Sequence, residues 1–119
     1  MTYFARLWQV LIGVDLPKIF PKGLLLPHPY GVVISDFATI GSDCVIYQGV
    51  TIGSNREGDV PVLGRGVIVY PGAVIVGRLR IGEYAVIGAN AVVRKSFPPH
   101  SVVAGNPARV IRLETDIED

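Results

Sequence analysis

The stretch LGRGVIVYPGAVIVGRLRIGEYAVIGANAVV, residues 63–93, decides the fold of this chain. An aliphatic residue returns at every sixth position in it, and the same period continues towards the N-terminus. The ten positions are Ile34, Ile40, Ile46, Ile52, Leu63, Val69, Ile75, Ile81, Ile87 and Val93. Neither the period of an amphipathic helix nor that of a simple two-sided strand fits this spacing. A six-residue period predicts a coiled β solenoid, in which each hexad supplies one short strand and one turn.

Two other positions of the hexad favour a narrow triangular coil. Glycine directly follows the aliphatic residue at positions 41, 53, 64, 82 and 88, which suits a turn with positive φ or a close backbone approach. Four positions after the aliphatic residue the side chain is often small, as at Ala38, Cys44, Ala73 and Ala85. Three hexads make a coil of about 18 residues, so residues 31–105 would hold roughly four coils. The alternative is an antiparallel β sandwich, whose hairpin turns would break the phase.

Length and composition predict a single domain over residues 1–119. A formal net charge of +1 leaves no basic stripe for nucleic acid, which is therefore not expected as a partner. The lone cysteine, Cys44, excludes an intrachain disulfide and is expected to be a buried apolar residue. Histidines, cysteine and carboxylates show no ligand spacing, so no metal site is expected.

Three stretches depart from the repeat. Residues 1–15 are apolar but too short for a transmembrane segment and unlike a signal peptide, so they are expected to form an arm or short helix that caps the first coil. The protein would then be cytoplasmic, with loose membrane attachment through this segment as an alternative. Residues 54–61 are predicted to leave the coil as an excursion loop, and the eleven residues from Ile52 to Leu63 are interpreted as two hexads less one residue. Residues 113–119 form an acidic tail.

His28 is the candidate for chemistry. It stands six residues before Ile34, so the six-residue period assigns it to an aliphatic position. Pro27 and Pro29 fix the backbone on each side, which suits a side chain that must be aimed, and histidine is suited to proton transfer near neutral pH. A structural histidine is the alternative interpretation. His100, after two prolines, is expected on a surface loop.

Three runs resemble a known family. LPHPYGVVIS (26–35), IGSDCVIYQGVTIG (40–53) and PPHSVVAGNPARVIR (98–112) are similar to the catalytic domain of serine O-acetyltransferases, within the hexapeptide-repeat acyltransferases. They are still more similar to short relatives that acetylate surface polysaccharides. The resemblance covers roughly residues 15–112. It implies an all-β, left-handed parallel β-helix, acetyl-CoA as co-substrate, and a homotrimer whose active site lies between subunits.

The resemblance also implies roles for individual residues. His28 would be the catalytic base, and Asp15 would orient it. The groove for the coenzyme A arm and the contacts to its phosphates would be formed by Gly53, Pro71, Gly72, Gly88, Ala89, Arg94, Lys95 and Arg109.

The chain departs from the family pattern in two places. Residues 58–61 stand where the family has a second active-site histidine, and Pro27 replaces an acid before His28. Both missing groups help to hold serine in the family, so the expected acceptor is a sugar hydroxyl on a glycan or its precursor. A truncated serine acetyltransferase and a non-catalytic β-helix scaffold or binding subunit are the alternatives.

Overall fold

The structure is a computed structural model that describes residues 16–17, 20–54 and 58–113. The expected N-terminal arm, Asp15 and residues 114–119 of the acidic tail lie outside these residues. Twelve short strands are found: β1 Val33–Ile34, β2 Thr39–Ile40, β3 Val45–Ile46, β4 Thr51–Gly53, β5 Val62–Leu63, β6 Ile68–Val69, β7 Val74–Val76, β8 Arg80–Ile81, β9 Val86–Ile87, β10 Val92–Val93, β11 Ser101–Ala104 and β12 Arg109–Leu113. In the described part of the chain no helix is long and apolar enough to cross a membrane.

The strands form the three walls of a prism. Sheet A has the order β1-β4-β7-β10, sheet C the order β2-β5-β8, and sheet B the order β12-β11-β9-β6-β3. All pairings between these strands are parallel except one: β12 runs antiparallel to β11. The fold is the all-β, left-handed parallel β-helix that the six-residue period and the family resemblance predicted.

Turns between the sheets stack into three edges along the prism. The BA turns connect sheet B to sheet A and comprise residues 27–32, 47–50, 70–73 and 88–91. Among the described residues, the AC turns comprise residues 35–38, 54 with 58–61, 77–79 and 94–96. The CB turns comprise residues 41–44, 64–67, 82–85 and 98–100. Main-chain hydrogen bonds join successive BA turns, for example from Gly49 N to Tyr30 O at 2.8 Å and from Asn90 N to Pro71 O at 2.9 Å.

The inward positions of the hexads form the core, as predicted. Nine of the ten periodic aliphatic residues have at most 1% of their surface exposed. Ile40 is the exception: it is only partly buried and packs against the edge of the core. Cys44 is fully buried, and its thiol donates a hydrogen bond of 3.3 Å to Gly64 O. Burial raises the pKa of the Cys44 thiol above its usual value, so Cys44 is a core residue.

The glycines after the aliphatic residues serve close approach and not positive φ. A Cβ on Gly41 or Gly64 would meet the main chain of the next coil at 2.6 or 2.7 Å. At Gly53, by contrast, no atom of the described residues lies within 4 Å of such a Cβ. Positive φ is found two positions further on in the CB turns, at Asp43, Gly66 and other residues. Of the two explanations for the glycine pattern, the close approach therefore holds at positions 41 and 64.

The prediction that residues 52–63 hold two hexads less one residue was wrong. Ile52 and Leu63 lie in the successive strands β4 and β5. In the other coils, corresponding residues of successive strands are one hexad apart. Thr39 pairs with Val62, 23 residues on, whereas Val62 pairs with Arg80, 18 residues on. The interval is one hexad with five inserted residues, so the whole excursion is added to a single AC turn.

Candidate functional site

His28 lies on the first BA turn and is exposed to solvent. The prediction that it occupies an inward position was wrong. Six residues, 27–32, form this turn, whereas four residues, 47–50, form the next one. The two extra residues shift the phase, so Leu26, which lies opposite Ile46, takes the aliphatic position instead of His28 and packs against the core. The imidazole is therefore placed at an accessible edge of the prism, where a ligand can reach it.

A column of left-handed residues continues this edge above His28. Gly31, Gly49 and Gly72 have φ of 65°, 70° and 75°, and Asn90 has 59°. A Cβ on Gly31 would come within 3.6 Å of Gly49 Cα, so the stacked turns present main chain with few side chains. Such a surface lets an extended ligand approach the backbone closely.

Four residues that were predicted to border the coenzyme groove lie on this BA edge. They are Pro71, Gly72, Gly88 and Ala89. Beside them, on the sheet B side, the rings of Tyr47 and Tyr70 stack with centroids 5.2 Å apart. The structure thus brings His28 and these four residues to one edge of the prism, at successive heights.

The predicted cations meet elsewhere, at the top of sheet A. Arg94, Lys95 and Arg109 line one cavity of about 190 Å³, together with Val92 and neighbouring residues. They come together because the chain folds back after β11, where Ala108 N donates to Val92 O at 3.1 Å. Lys95 Nζ lies over the Phe97 ring, 5.6 Å from its centroid. Cationic side chains that line one cavity suit phosphate oxygens.

Sheet A lies between the two groups of predicted residues. The BA turns lead into it. Gly53 is the last residue of β4, and Arg94 and Lys95 lie in the AC turn after β10. From the level of β1, beside His28, to that of β10 there are three strand spacings, about 14 Å along the prism. His28 and the cation cavity are therefore separated within one protomer, and only a long ligand or a second subunit could connect them.

Sequence reasoning missed two arginines and one glutamine. Arg78 and Arg80 are exposed and line a cavity beside the inserted loop. A signal for them existed in the sequence, because residues 60–113 contain seven arginines and lysines but a single acid, Glu83. Gln48 lies on the BA turn above His28. Among the described residues its Oε1 is buried without a hydrogen-bond partner.

The remaining predicted groups have simple outcomes. Asp15 lies outside the described residues, so its pairing with His28 stays a prediction. His100 is exposed, as expected, and its ring stacks on Tyr84 at 5.5 Å. Within residues 16–17, 20–54 and 58–113, no cluster of three or more histidine, cysteine or acidic residues could hold a metal ion.

The sequence is similar to that of several known proteins. Residues 61–95 match the family model described as bacterial transferase hexapeptide (six repeats). The serine acetyltransferase of Mycobacterium tuberculosis is 42% identical over 112 residues, which are 90% of this chain and 49% of the relative. Serine acetyltransferase 2 of Arabidopsis thaliana is 43% identical over 114 residues, which are 92% of this chain and 35% of the relative. The chain thus spans half or less of the length of these curated relatives.

Solved structures are similar in the same way. The crystal structure of serine acetyltransferase from Brucella abortus has a TM-score of 0.76 and 36% identity, over 78% of this chain and 38% of that one. A serine acetyltransferase in complex with CoA has a TM-score of 0.72 and 37% identity, over 76% of this chain and 39% of that one. Family model, sequences and structures agree on one group. The chain carries the hexapeptide repeat of the bacterial transferases, and its homologues are serine acetyltransferases.

Proposed function

We propose that this chain is an acetyl-CoA-dependent O-acetyltransferase that moves an acetyl group to a hydroxyl of a small acceptor. The observation that carries the proposal is the identity of about 40% to serine acetyltransferases across about nine tenths of the chain. The geometry supports it, because the exposed His28 and the cation-lined cavity lie at opposite ends of sheet A. A long ligand or a second subunit could connect them.

His28 is the proposed general base. A hydroxyl is a poor nucleophile at its own pKa, so it needs a base as its oxygen attacks the thioester carbonyl. His28 removes that proton while the new oxygen–carbon bond forms, and it gives the proton to the sulfur as the carbon–sulfur bond breaks. Such assistance typically contributes about 10² to 10⁴ in rate. Asp15, as a carboxylate beside His28, would fix the tautomer and stabilise the imidazolium.

The residues present fit coenzyme A, which supplies the activated acetyl thioester when it is bound. Arg94, Lys95 and Arg109 would hold its phosphates in the cavity at the top of sheet A. The BA edge, with Pro71, Gly72, Gly88 and Ala89, offers main chain for the pantetheine arm. A structural relative in complex with CoA supports this assignment.

A homotrimer is the proposed assembly, with each active site between two subunits. Outward positions of sheets A and B are largely aliphatic, and some of them are well exposed in the single chain, such as Leu25 at 60% and Val33 at 39%. Packing these two sheets against a second copy would cover the exposed aliphatic residues. It would also bring the His28 edge of one protomer towards a neighbour. Sedimentation that shows only monomer at micromolar concentration would contradict this assembly.

L-serine is the acceptor that the relatives favour, in contrast to the sugar expected from the sequence. Curated relatives and structural neighbours carry the name serine acetyltransferase, and one structure is described as complexed with serine. A sugar hydroxyl is the second candidate, because Pro27 and residues 58–61 stand where the family has groups that hold the amino acid. We therefore propose serine first and a sugar second.

One assay tests the function and separates the acceptors. Thiol release from acetyl-CoA is measured with L-serine and, separately, with a panel of sugars at matched concentrations. Serine-dependent release supports the first acceptor, and release with a sugar alone supports the second. If the protein binds no coenzyme A in a direct titration, the enzymatic proposal fails, and a non-catalytic scaffold takes its place.

A further inference from the structure

A second basic cavity lies beside the inserted AC turn. Its volume is about 440 Å³, and its lining includes Gly58 and Val60 of the insertion, Arg78, Arg80 and Ser96. Arg80 is the outward residue of β8 on sheet C, and Arg78 belongs to the AC turn that precedes it. This cavity shares no residue with the one formed by Arg94, Lys95 and Arg109.

Among the described residues, neither the Arg78 nor the Arg80 guanidinium lies within ion-pair distance of a carboxylate, whereas Arg65 pairs with Asp43 at 3.3 Å. Two described acids lie on neighbouring segments, and neither is ion-paired with these arginines: Asp59 stands between the cavity residues Gly58 and Val60, and Glu83 lines a separate cavity of about 770 Å³ that Arg80 also borders. Two exposed and unpaired guanidiniums facing one concave space are a suitable receptor for an anion.

Other cations lie directly above this pair. Val74 pairs with Val92 and Ile75 with Val93, so the turn after β7 lies one strand spacing, about 4.8 Å, below the turn after β10. Arg78 therefore lies one coil below the turn that carries Arg94 and Lys95. Repulsion within such a group raises the affinity for a negatively charged ligand, because binding relieves it.

Hydrogen bonds hold the main chain of Arg80 in place on sheet C. Arg80 N donates a hydrogen bond of 2.9 Å to Ser96 Oγ, and Phe97 N donates to Arg80 O at 3.1 Å. These bonds fix the main chain of Arg80 while its side chain remains exposed. A guanidinium on a fixed main chain can offer two parallel N–H groups to the oxygens of one anion.

We propose that Arg78 and Arg80 form an anion-binding site beside the insertion that takes a phosphate group. The phosphate can come from the 3′-phosphate of the coenzyme or from a phosphorylated acceptor, and both sources have the same chemistry. Its assignment to a substrate rests on the proposed acetyltransferase function. The anion site itself does not depend on that function.

The site is tested first without any coenzyme. Inorganic pyrophosphate is titrated calorimetrically into the Arg94→Gln/Lys95→Gln protein, so that the upper cavity contributes little. Adding Arg78→Gln/Arg80→Gln is expected to weaken binding at least tenfold. Adding Lys22→Gln/Arg112→Gln, which removes the same charge at exposed positions elsewhere, is expected to change binding less than twofold.

Coenzyme A and dephospho-coenzyme A, which lacks the 3′-phosphate, then identify the source. If the 3′-phosphate is bound here, the parent protein prefers coenzyme A, and Arg78→Gln/Arg80→Gln abolishes the preference. If the parent shows no preference but pyrophosphate binding still needs the arginines, the phosphate belongs to the acceptor.

The anion site is overturned if the affinity for pyrophosphate stays the same when Arg78 and Arg80 are replaced. It is also overturned if the protein that still has both arginines binds no pyrophosphate. Failure of every form to bind coenzyme A, with the pyrophosphate effect intact, overturns the acetyltransferase proposal and leaves the anion site standing. Melting curves of all variants confirm that each protein compared is folded.

Discussion

Gly64 lies in a CB turn where the next coil leaves no room for a side chain, so Gly64→Ala tests the stacking of the solenoid. The added Cβ would stand 2.7 Å from Glu83 N and 3.0 Å from Glu83 Cα, whereas ordinary van der Waals contact begins at 3.4 Å. Both neighbours are main chain and cannot rotate away. The two coils would have to part locally by about 0.7 Å, the difference between 2.7 and 3.4 Å.

That separation acts on the hydrogen bonds between the coils. Gly64 N donates to Ile81 O at 2.8 Å, and Tyr84 N donates to Arg65 O at 2.8 Å. Lengthened by 0.7 Å, each would exceed the usual range, which ends near 3.2 Å. Overpacking of this kind costs about 1–3 kcal/mol, and a clash with main chain belongs near the upper end. Alanine recovers about 0.4–1 kcal/mol through the unfolded chain, because φ at Gly64 is not in the left-handed region. We expect a net loss of about 2 kcal/mol in the free energy of unfolding.

Gly53→Ala is the matched control. Gly53, like Gly64, follows a periodic aliphatic residue and has an ordinary φ, but no atom of the described residues lies within 4 Å of its added Cβ. It should gain about 0.4–1 kcal/mol, so the two substitutions are expected to act in opposite directions. Urea unfolding followed by circular dichroism at one protein concentration measures both. A Gly64→Ala protein as stable as the parent would refute the close stacking of coils at the CB turns.

Four further predictions follow from the site and the core. His28→Ala should lower turnover by at least about 10², while coenzyme affinity and the melting curve stay near those of the parent; a parent-like rate in the thiol-release assay would contradict the role of the base. Ile75→Asp should prevent folding, because Ile75 is fully buried and the change loses about 1.5–3 kcal/mol of burial and adds an unpaired carboxylate; a soluble protein with a cooperative transition would show that the register is wrong. Because burial raises the pKa of Cys44, the folded chain holds that proton more tightly than the unfolded chain, so stability should fall as the pH rises above 9.0, the usual value. The Cys44→Ala protein should therefore lose less stability than the parent between pH 7 and a pH above 9.0. If the urea midpoints of the two proteins fall by the same amount over this range, the prediction is wrong. Gln48→Met should stabilise the chain by about 1 kcal/mol, since it removes a buried oxygen that has no partner among the described residues; a lower melting temperature would mean that the assembled protein supplies that partner.

The sequence could predict the core because each hexad carries its own inward residues. Ile46, Ile52 and Ile75 were assigned from spacing alone, and each is fully buried. The eleven residues between Ile52 and Leu63 could not be interpreted in this way. Eleven is nearly two hexads, so counting cannot distinguish a missing residue from a five-residue insertion. The distinction needs the strand pairing of Thr39 with Val62, which is a long-range property.

The sequence predicted parts of the site that follow from the repeat itself. It could not predict parts that depend on an unusual turn length or on long-range contacts. His28 was correctly singled out as an exception, but its inward placement was wrong because the phase was counted through a turn of unusual length. Arg94 and Lys95 were assigned to phosphate contacts from the family resemblance. Their cavity with Arg109 exists because β12 runs back along β11, and nothing in the hexads indicates that reversal.

The antiparallel β12 also changes what the upper end of the prism offers to another molecule. A parallel solenoid has two unlike ends, and if both were flat, copies could add head to tail without limit, as in a filament. Here β12 extends sheet B by one strand that runs in the opposite direction, while sheets A and C end below it. The upper end is therefore stepped, and its outermost strand has the wrong polarity to template another coil. Because head-to-tail growth needs both ends of every copy, one altered end is enough to stop it.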